Sequence, residues 1–168
     1  MFKKLRSPRA IFGIVYLLFF MAYIFVGLQP AEATSYKISG KLEIPSINLV
    51  SDVTTLTLEN QKLTTPDNIV GAFSSNKKRT LLMGHSTTVF SRLKDLKIGD
   101  EVSYNGEIYI IYDIKTVEKD SIKMVDLLKK TDQTSIVLMT CAGTLYGNQD
   151  ASHRLIITAN KAELAERN

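Results

Sequence analysis

Hydrophobic and polar residues alternate in short runs through most of the chain that follows an apolar leader. Residues 36–44 show such alternation, and residues 81–83 form an apolar run. Residues 108–112 form another run, soon after Asn105-Gly106, a pair typical of two-residue hairpin turns. Short runs separated by glycine, proline or polar residues are typical of β-strands. The pattern therefore predicts a mainly β domain.

The strongest pattern lies in residues 136–160, where two apolar, β-branched runs flank a segment rich in glycine and polar residues. The two runs are residues 136–139 and 155–158. They predict a strand, a loop and a second strand, with Cys141 ending the first strand and Arg154 beginning the second. A thiol and a guanidinium would then face each other across one loop.

The remaining segments predict little helix. Residues 86–96 carry apolar side chains at helical spacing and predict a helical turn, and residues 124–130 predict a short helix. Residues 59–79 are polar and weakly patterned, and no element is predicted there. Seven or eight short strands with one or two short helices fit a closed or nearly closed β-barrel over residues 36–160.

The leader is an apolar segment, residues 11–28, with 18 consecutive uncharged residues. As a helix it is about 27 Å long, close to the hydrocarbon thickness of a bilayer. Four basic residues precede it within residues 1–10, so the positive-inside rule places the N-terminus in the cytoplasm. We predict a transmembrane signal anchor, a linker at residues 29–35, the β domain outside the cell and a charged tail at residues 161–168.

A cleaved signal peptide is the alternative, because Ala31-Glu32-Ala33 fits the small-residue cleavage pattern and Pro30 precedes it. An apolar segment of 18 residues exceeds the roughly 7–15 residues of a signal peptide, which favours the anchor. Both possibilities export the domain. An unpaired cysteine is uncommon in exported proteins and requires a reason.

The net charge of +4 comes from the four basic residues at the N-terminus, since the 17 other basic residues balance 17 acidic ones. No basic surface for nucleic acid is therefore predicted. Cys141 is the only cysteine, which excludes an intramolecular disulfide and multi-cysteine metal sites. We expect no metal and no cofactor.

A cysteine attacks a carbonyl as its thiolate, so a catalytic Cys141 needs a base or a cation nearby. The chain has two histidines, His85 and His153. Successive strand residues point to opposite faces, so His153 faces away if its neighbour Arg154 faces Cys141. His85 follows a different apolar run, and we predict that it is the base.

Each of these residues also has an ordinary structural explanation. Cys141 fits a small buried apolar residue, His85 fits a turn after a strand, and Arg154 fits a surface ion pair. A zinc site built from the cysteine and the two histidines lacks the usual ligand spacing. The combination of thiol, imidazole and guanidinium in an exported domain favours a catalytic site.

The sequence resembles the sortases, membrane-anchored cysteine transpeptidases of Gram-positive-type bacteria. Residues 137–141, Val-Leu-Met-Thr-Cys, match the family's Thr-Leu-x-Thr-Cys motif except at Val137. His85 and residues 154–157 resemble the family's histidine and arginine elements. The resemblance covers residues 38–160 and implies a sortase-like β-barrel.

The resemblance implies a reaction on a Leu-Pro-x-Thr-Gly-like sorting signal. Cys141 would form an acyl-enzyme, Arg154 would bind substrate and stabilise the oxyanion, and His85 would act as general acid and base. Thr140, inside the cysteine motif, would bind substrate. The implied partners are surface proteins that carry the signal, an amine acceptor such as a cell-wall precursor, and the lipid bilayer.

The resemblance also bears on the kind of sortase. Pilus-polymerising members carry an Asp-Pro-aromatic lid motif, whereas Asp67 is followed by Asn68 here, which favours an anchoring role. Some members bind calcium, but we read Asp113, Glu118 and Asp120 as ordinary solvated acids. Two alternatives stay open: an exported cysteine peptidase that transfers the acyl group to water, and a catalytically idle membrane-anchored scaffold.

Overall fold

The computed structural model describes residues 36–59, 63–76, 78–129, 131–146 and 150–163. The predicted transmembrane helix at residues 11–28 and the linker after it lie outside these ranges. Within the described ranges, no helix is long and apolar enough to cross a membrane. The anchor therefore stays a prediction.

The described residues form a closed barrel of eight β-strands, as the sequence predicts. The strands are β1 (Ile38–Ile44), β2 (Leu49–Thr55), β3 (Val70–Asn76), β4 (Arg79–Met83), β5 (Glu101–Tyr104), β6 (Glu107–Glu118), β7 (Ser135–Tyr146) and β8 (Asp150–Lys161). They pair in the order β1-β2-β3-β4-β7-β8-β6-β5, and β5 pairs with β1 to close the barrel. One four-residue α-helix, α1 (Met124–Leu127), lies between β6 and β7 among the described residues.

Two strand pairs, β2 with β3 and β4 with β7, are parallel, and the others are antiparallel. The hairpin between β5 and β6 turns at Asn105 and Gly106, whose φ angles are 53° and 78°. Positive φ at both central residues is the requirement of the turn that an Asn-Gly pair favours. The predicted hairpin is confirmed.

The barrel wall at β4, β7 and β8 is apolar on both faces. Along β7, Leu138 belongs to the cluster that fills the barrel, whereas Val137 belongs to a second cluster outside it. The same alternation on β8 puts Ile157 inside and Ile156 outside. The outer cluster consists of Leu56, Leu81, Met83, Leu127, Val137 and Ile156.

Strand β3 lies within residues 59–79, where the sequence predicts no element. Its buried residues are Val70 and the small Gly71 and Ala72, while Phe73 is only half-buried. Short side chains leave a weak hydrophobic pattern. The strand is instead defined by backbone pairing with β2 on one side and β4 on the other, which a local pattern does not contain.

Three other boundaries differ from the prediction. The predicted run at 108–112 is the first half of β6, which continues to Glu118 past a bulge. The predicted helix at 124–130 is the shorter α1. Within residues 86–96, the predicted helical turn is a series of turns that ends in a 3-10 segment at Leu93–Asp95.

The prediction that Cys141 ends one strand and Arg154 begins the next is wrong. β7 continues past Cys141, and β8 begins before Arg154, so both residues lie inside a long hairpin. The register shifts between Ala142 and Leu145, at a bulge where Gly143 has a φ of 78°. This glycine interrupts the apolar run and so imitates the end of a strand in the sequence.

Candidate active site

Cys141 and Arg154 are direct neighbours on β7 and β8. They are partners in the antiparallel register, where opposite Cβ atoms lie roughly 5 Å apart. Val137 on β7 and Ile156 on β8 face outward. Cys141 lies four residues after Val137, and Arg154 lies two residues before Ile156, so alternation along each strand gives both the same outward direction. Both side chains therefore point out of the barrel on the same side.

His85 follows the end of β4, the strand that lies beside β7. In this parallel pair Met83 is opposite Met139, and the Gly84 amide donates to the Met139 carbonyl at 3.4 Å. Continuing the register by two residues brings His85 level with Cys141. His85 lies two residues after the outward-facing Met83, so alternation along the strand gives it the same direction. Imidazole, thiol and guanidinium thus belong to one face of the wall.

Thr140 ties the cysteine strand to the histidine segment. Its side chain is 5% exposed, and its hydroxyl donates a 2.8 Å hydrogen bond to the Gly84 carbonyl. That carbonyl directly precedes His85, so the bond holds the point at which the chain leaves β4. Substrate binding by Thr140 stays a prediction. The contact that the structure gives it is structural and joins two parts of the site.

A segment of the β2–β3 connection, residues 64–67, lies against His85. Nε2 of the imidazole is 3.3 Å from the Thr65 carbonyl oxygen and 3.8 Å from Oδ1 of Asp67. The Thr88 hydroxyl donates to the Asp67 carbonyl and ties the segment to the turn after the histidine. The sequence predicts none of this, because the main contact is a backbone carbonyl and not a side-chain motif.

His153 lies on the other face of β8. It lies two residues before Leu155, which belongs to the cluster inside the barrel, so its side chain has the same inward direction. Its Nδ1 is 2.7 Å from Oγ of Ser152. It therefore does not join Cys141, in agreement with the strand-face argument. Of the two histidines, only His85 has the strand side that the register assigns to Cys141.

The Arg154 guanidinium is hydrogen-bonded to backbone carbonyls of its own strand, β8. Its Nη1 donates to the carbonyls of Ala151, at 2.9 Å, and His153, at 3.0 Å. These two bonds fix the direction of the planar group. A guanidinium in this position can stabilise the oxyanion of an acyl-transfer reaction.

An apolar groove of about 670 Å³ runs along the outer face of the wall. Its floor contains Met83 and Met139, which lie two residues before His85 and Cys141. The groove therefore lies within two residues, along the chain, of both His85 and Cys141. Its other lining residues come from β3 and from the β2–β3 and β6–β7 connections: Leu58, Leu63, Phe73, Ser75, Met124, Val125, Leu128 and Lys129.

These parts suit acyl transfer on an extended chain. A thiol can serve as a nucleophile, an imidazole as a proton donor and acceptor, and a guanidinium as a charge stabiliser. An apolar groove can accommodate the apolar side chains of a bound chain. Within the part of the chain that the structure describes, no three His, Cys, Asp or Glu side chains are grouped to hold a metal ion.

Several solved structures share this fold. Sortase A from Corynebacterium diphtheriae, a lid mutant, matches 82% of this chain and 76% of its own, with a TM-score of 0.60 and 22% identity. Sortase A from Listeria monocytogenes matches 75% of this chain and 88% of its own, with a TM-score of 0.58 and 17% identity. Sortase C-1 from Actinomyces oris matches 88% of this chain and 83% of its own, with a TM-score of 0.58 and 22% identity. At these identities the likeness shows the sortase fold and does not choose between sortases A and C.

Sequence comparison gives the family. No curated protein matches the chain significantly. The model of the Sortase domain family matches residues 42–162, a range that contains Cys141, His85 and Arg154. Because this match covers most of the chain and the barrel has the sortase fold, the chain belongs to the sortase family, the cysteine transpeptidases.

Proposed function

We propose that the protein cleaves a Leu-Pro-x-Thr-Gly-like sorting signal through a Cys141 acyl-enzyme and transfers the carboxyl group to an amine. The proposal is supported most by the strand register, which pairs Cys141 with Arg154 and, continued from Met83, brings His85 to the same outer face beside an apolar groove. A thiol, a proton carrier and a cation on one open face are the parts that acyl transfer requires.

In the first half of the reaction, Cys141 Sγ attacks the carbonyl carbon of the signal's threonine. Negative charge develops on the carbonyl oxygen, and the Arg154 guanidinium stabilises it. The threonine–glycine C–N bond then breaks, and protonated His85 gives its proton to the leaving amine nitrogen. A thioester between the threonine and Cys141 is left, with neutral His85.

In the second half, the acceptor amine attacks the thioester carbonyl. His85 takes the proton that the amine nitrogen loses, and the Cys141 thiolate leaves as the new amide bond forms. The product is the surface protein joined to the acceptor, and the thiolate and imidazolium are restored. The same thioester attacked by water would give hydrolysis, which is the reaction of a peptidase.

The groove supports an apolar residue ahead of the reacting bond. In an extended peptide the leucine of the signal lies three residues before the threonine, about 10 Å away. Met139 lies two strand residues from Cys141, about 7 Å away. The leucine side chain would therefore lie on the apolar floor near Met83 and Met139.

We also propose a location for the reaction. Residues 11–28 would span the cell membrane once, with residues 1–10 in the cytoplasm and the barrel outside. Such an anchor would place the enzyme beside surface proteins as they are exported. Protease added to intact cells should then degrade the barrel, while a tag fused to the N-terminus stays protected. A protected barrel would overturn this orientation.

The reaction is tested with the full-length chain in mild detergent, quenched peptides with variants of the signal, and an amine. Cleavage with amine-dependent ligation supports transfer, whereas hydrolysis that no amine diverts supports the peptidase. Absence of turnover together with absence of an acyl adduct on Cys141 would overturn both mechanisms. His85→Ala should lower kcat/KM by about 10²–10⁴-fold. His153→Ala is the matched control and should stay near wild type.

A further inference from the structure

The proposed reaction requires that one ring nitrogen of His85 carry the moving proton, and the structure distinguishes the two. Nε2 lies 3.3 Å from the Thr65 carbonyl oxygen and 3.8 Å from the Asp67 carboxylate. Both neighbours are hydrogen-bond acceptors only. A ring nitrogen between two acceptors makes a favourable contact when it carries a hydrogen. In a neutral imidazole, a hydrogen bond donated by one ring nitrogen leaves the other nitrogen unprotonated.

We propose that the Thr65 carbonyl is a positioning group that keeps neutral His85 in its Nε2–H tautomer. Nδ1 then carries the lone pair and is the nitrogen that gains and loses the proton during transfer. The second statement rests on the proposed transpeptidase function, whereas the tautomer does not. Thr65 acts through His85 and touches neither the thiol nor the substrate in this assignment.

The local sequence fixes the direction of the Thr65 carbonyl. Thr65 precedes Pro66, and a residue before proline is restricted to extended conformations. Pro66 is itself buried, so the dipeptide is packed in place. The carbonyl is therefore presented to the imidazole with little freedom to rotate away.

The turn after His85 holds the ring and the segment as one unit. The His85 carbonyl accepts hydrogen bonds from the amides of Thr88, at 3.2 Å, and Phe90, at 3.0 Å. The Thr88 hydroxyl in turn donates to the Asp67 carbonyl. Thr88 thus contacts both the histidine backbone and the segment that carries Thr65. It thereby holds the imidazole Nε2 close to the Thr65 carbonyl.

The Asp67 carboxylate contributes less than the Thr65 carbonyl. Its side chain is 87% exposed and its nearest oxygen is 3.8 Å from Nε2, so water screens the interaction. Among the described residues, the strand register brings two further ionisable groups toward the ring, Cys141 on β7 and Arg154 on β8. These belong to the reacting side of the ring, away from the segment.

This arrangement leaves the ring in one orientation throughout the cycle. As imidazolium, His85 donates Nε2–H to Thr65 and gives the proton on Nδ1 to the leaving amine. As neutral imidazole it keeps the Nε2–H bond and takes the acceptor amine's proton on Nδ1. The bond to Thr65 is therefore the same in both halves of the reaction, and no ring flip is required.

The tautomer is read directly by NMR. The full-length chain is labelled with ¹⁵N-histidine and recorded without substrate, at a pH at which the ring is neutral. The chain has two histidines, and His153→Gln leaves the signals of His85 alone. The correlations between ring nitrogens and carbon-bound protons should show the Nε2–H form. A spectrum of the Nδ1–H form would overturn the proposal even if the protein proves to be an active transpeptidase.

Variants test the tether. Thr88→Val should raise the share of the Nδ1–H form and lower kcat/KM by about three- to tenfold, the loss expected for one hydrogen bond. Thr87→Val changes an exposed neighbour and should alter neither quantity. Asp67→Asn keeps the backbone carbonyl and should leave both within about twofold. If Asp67→Asn changes the share of the Nε2–H form, the carboxylate and not the Thr65 carbonyl holds the tautomer, and the proposal is overturned.

The two readouts separate the two proposals. A chain that joins no peptide to an amine can still show the Nε2–H ring, which would reject the function and keep the positioning role. If Thr88→Val does not fold, as judged by circular dichroism, the wild-type spectrum decides alone. A folded Thr88→Val variant with the tautomer and kcat/KM of wild type would overturn the role of the tether.

Discussion

The outer face of β1 and the outer face of β4 and β7 belong to one closed sheet but have opposite chemistry. On β1, Lys41 and Glu43 point outward and form an exposed ion pair at 2.6 Å, while Leu42 between them is fully buried. On β4 and β7, the outward positions are held by apolar side chains such as Met83 and Met139. β1 has the usual alternation of a half-solvated strand.

The difference explains where the site lies. An apolar outer face must be covered, and here the β2–β3 and β6–β7 connections provide the cover with Leu63, Met124 and Leu128. The cover is incomplete and leaves the groove. Cys141 and His85 continue the outward rows of Met139 and Met83, so the reactive groups stand where the uncovered apolar surface ends. The groove and the candidate catalytic residues therefore lie on the outward positions of the same two strands.

The largest effect is expected from making the apolar face polar. Met139→Gln keeps the length of the side chain but replaces its thioether with an amide. Burial of the methionine side chain by bound substrate contributes about 1.5–3 kcal/mol. Its loss should lower kcat/KM by about ten- to hundredfold. Quenched-peptide assays measure this. Glu43→Gln on β1 is the matched control and should leave kcat/KM unchanged. Equal, small effects at both positions would remove the functional contrast between the faces.

An intermediate effect is expected at Thr140, which joins the two apolar strands behind the site. Thr140→Val removes the hydroxyl and leaves the buried Gly84 carbonyl without its donor. The free energy of unfolding should fall by about 1–3 kcal/mol, measured by urea denaturation. Thr140→Ser retains the hydroxyl and should lose less. If valine and serine are equally stable, the hydrogen bond does not stabilise this side of the barrel.

The smallest effect is expected on the polar face. The hydrogen bond with Glu43 raises the pKa of Lys41 above its ordinary value. A raised lysine pKa means that the pair stabilises the fold below the ordinary lysine pKa, near 10.4, and that this contribution is lost as pH rises further. Glu43→Gln should therefore lower the melting temperature slightly at pH 7, and the difference should shrink above pH 10.4. A difference that grows with pH would contradict this account.

Part of this architecture can be predicted from local sequence. The apolar runs at β4, β7 and β8 predict strands because both of their faces are buried. The Asn-Gly pair predicts the β5–β6 hairpin because few residues tolerate positive φ at two successive positions. Strand β3 escapes prediction because its buried residues are small. The long β7–β8 hairpin escapes it because Gly143 divides an apolar run without ending the strand.

The site divides in the same way. The sequence by itself contains the motifs of the sortase family. It also favours His85 over His153 as the base, because side chains alternate along a strand whatever its neighbours are. Only the tertiary structure decided that β4 lies beside β7 with Met83 opposite Met139. Continued by two residues, this register places His85 level with Cys141. The tertiary structure also decided that the Thr65 carbonyl meets the imidazole and that an apolar groove is lined by Met139, two residues before the cysteine. These contacts join residues far apart in the chain, and two of them use backbone atoms that every residue carries.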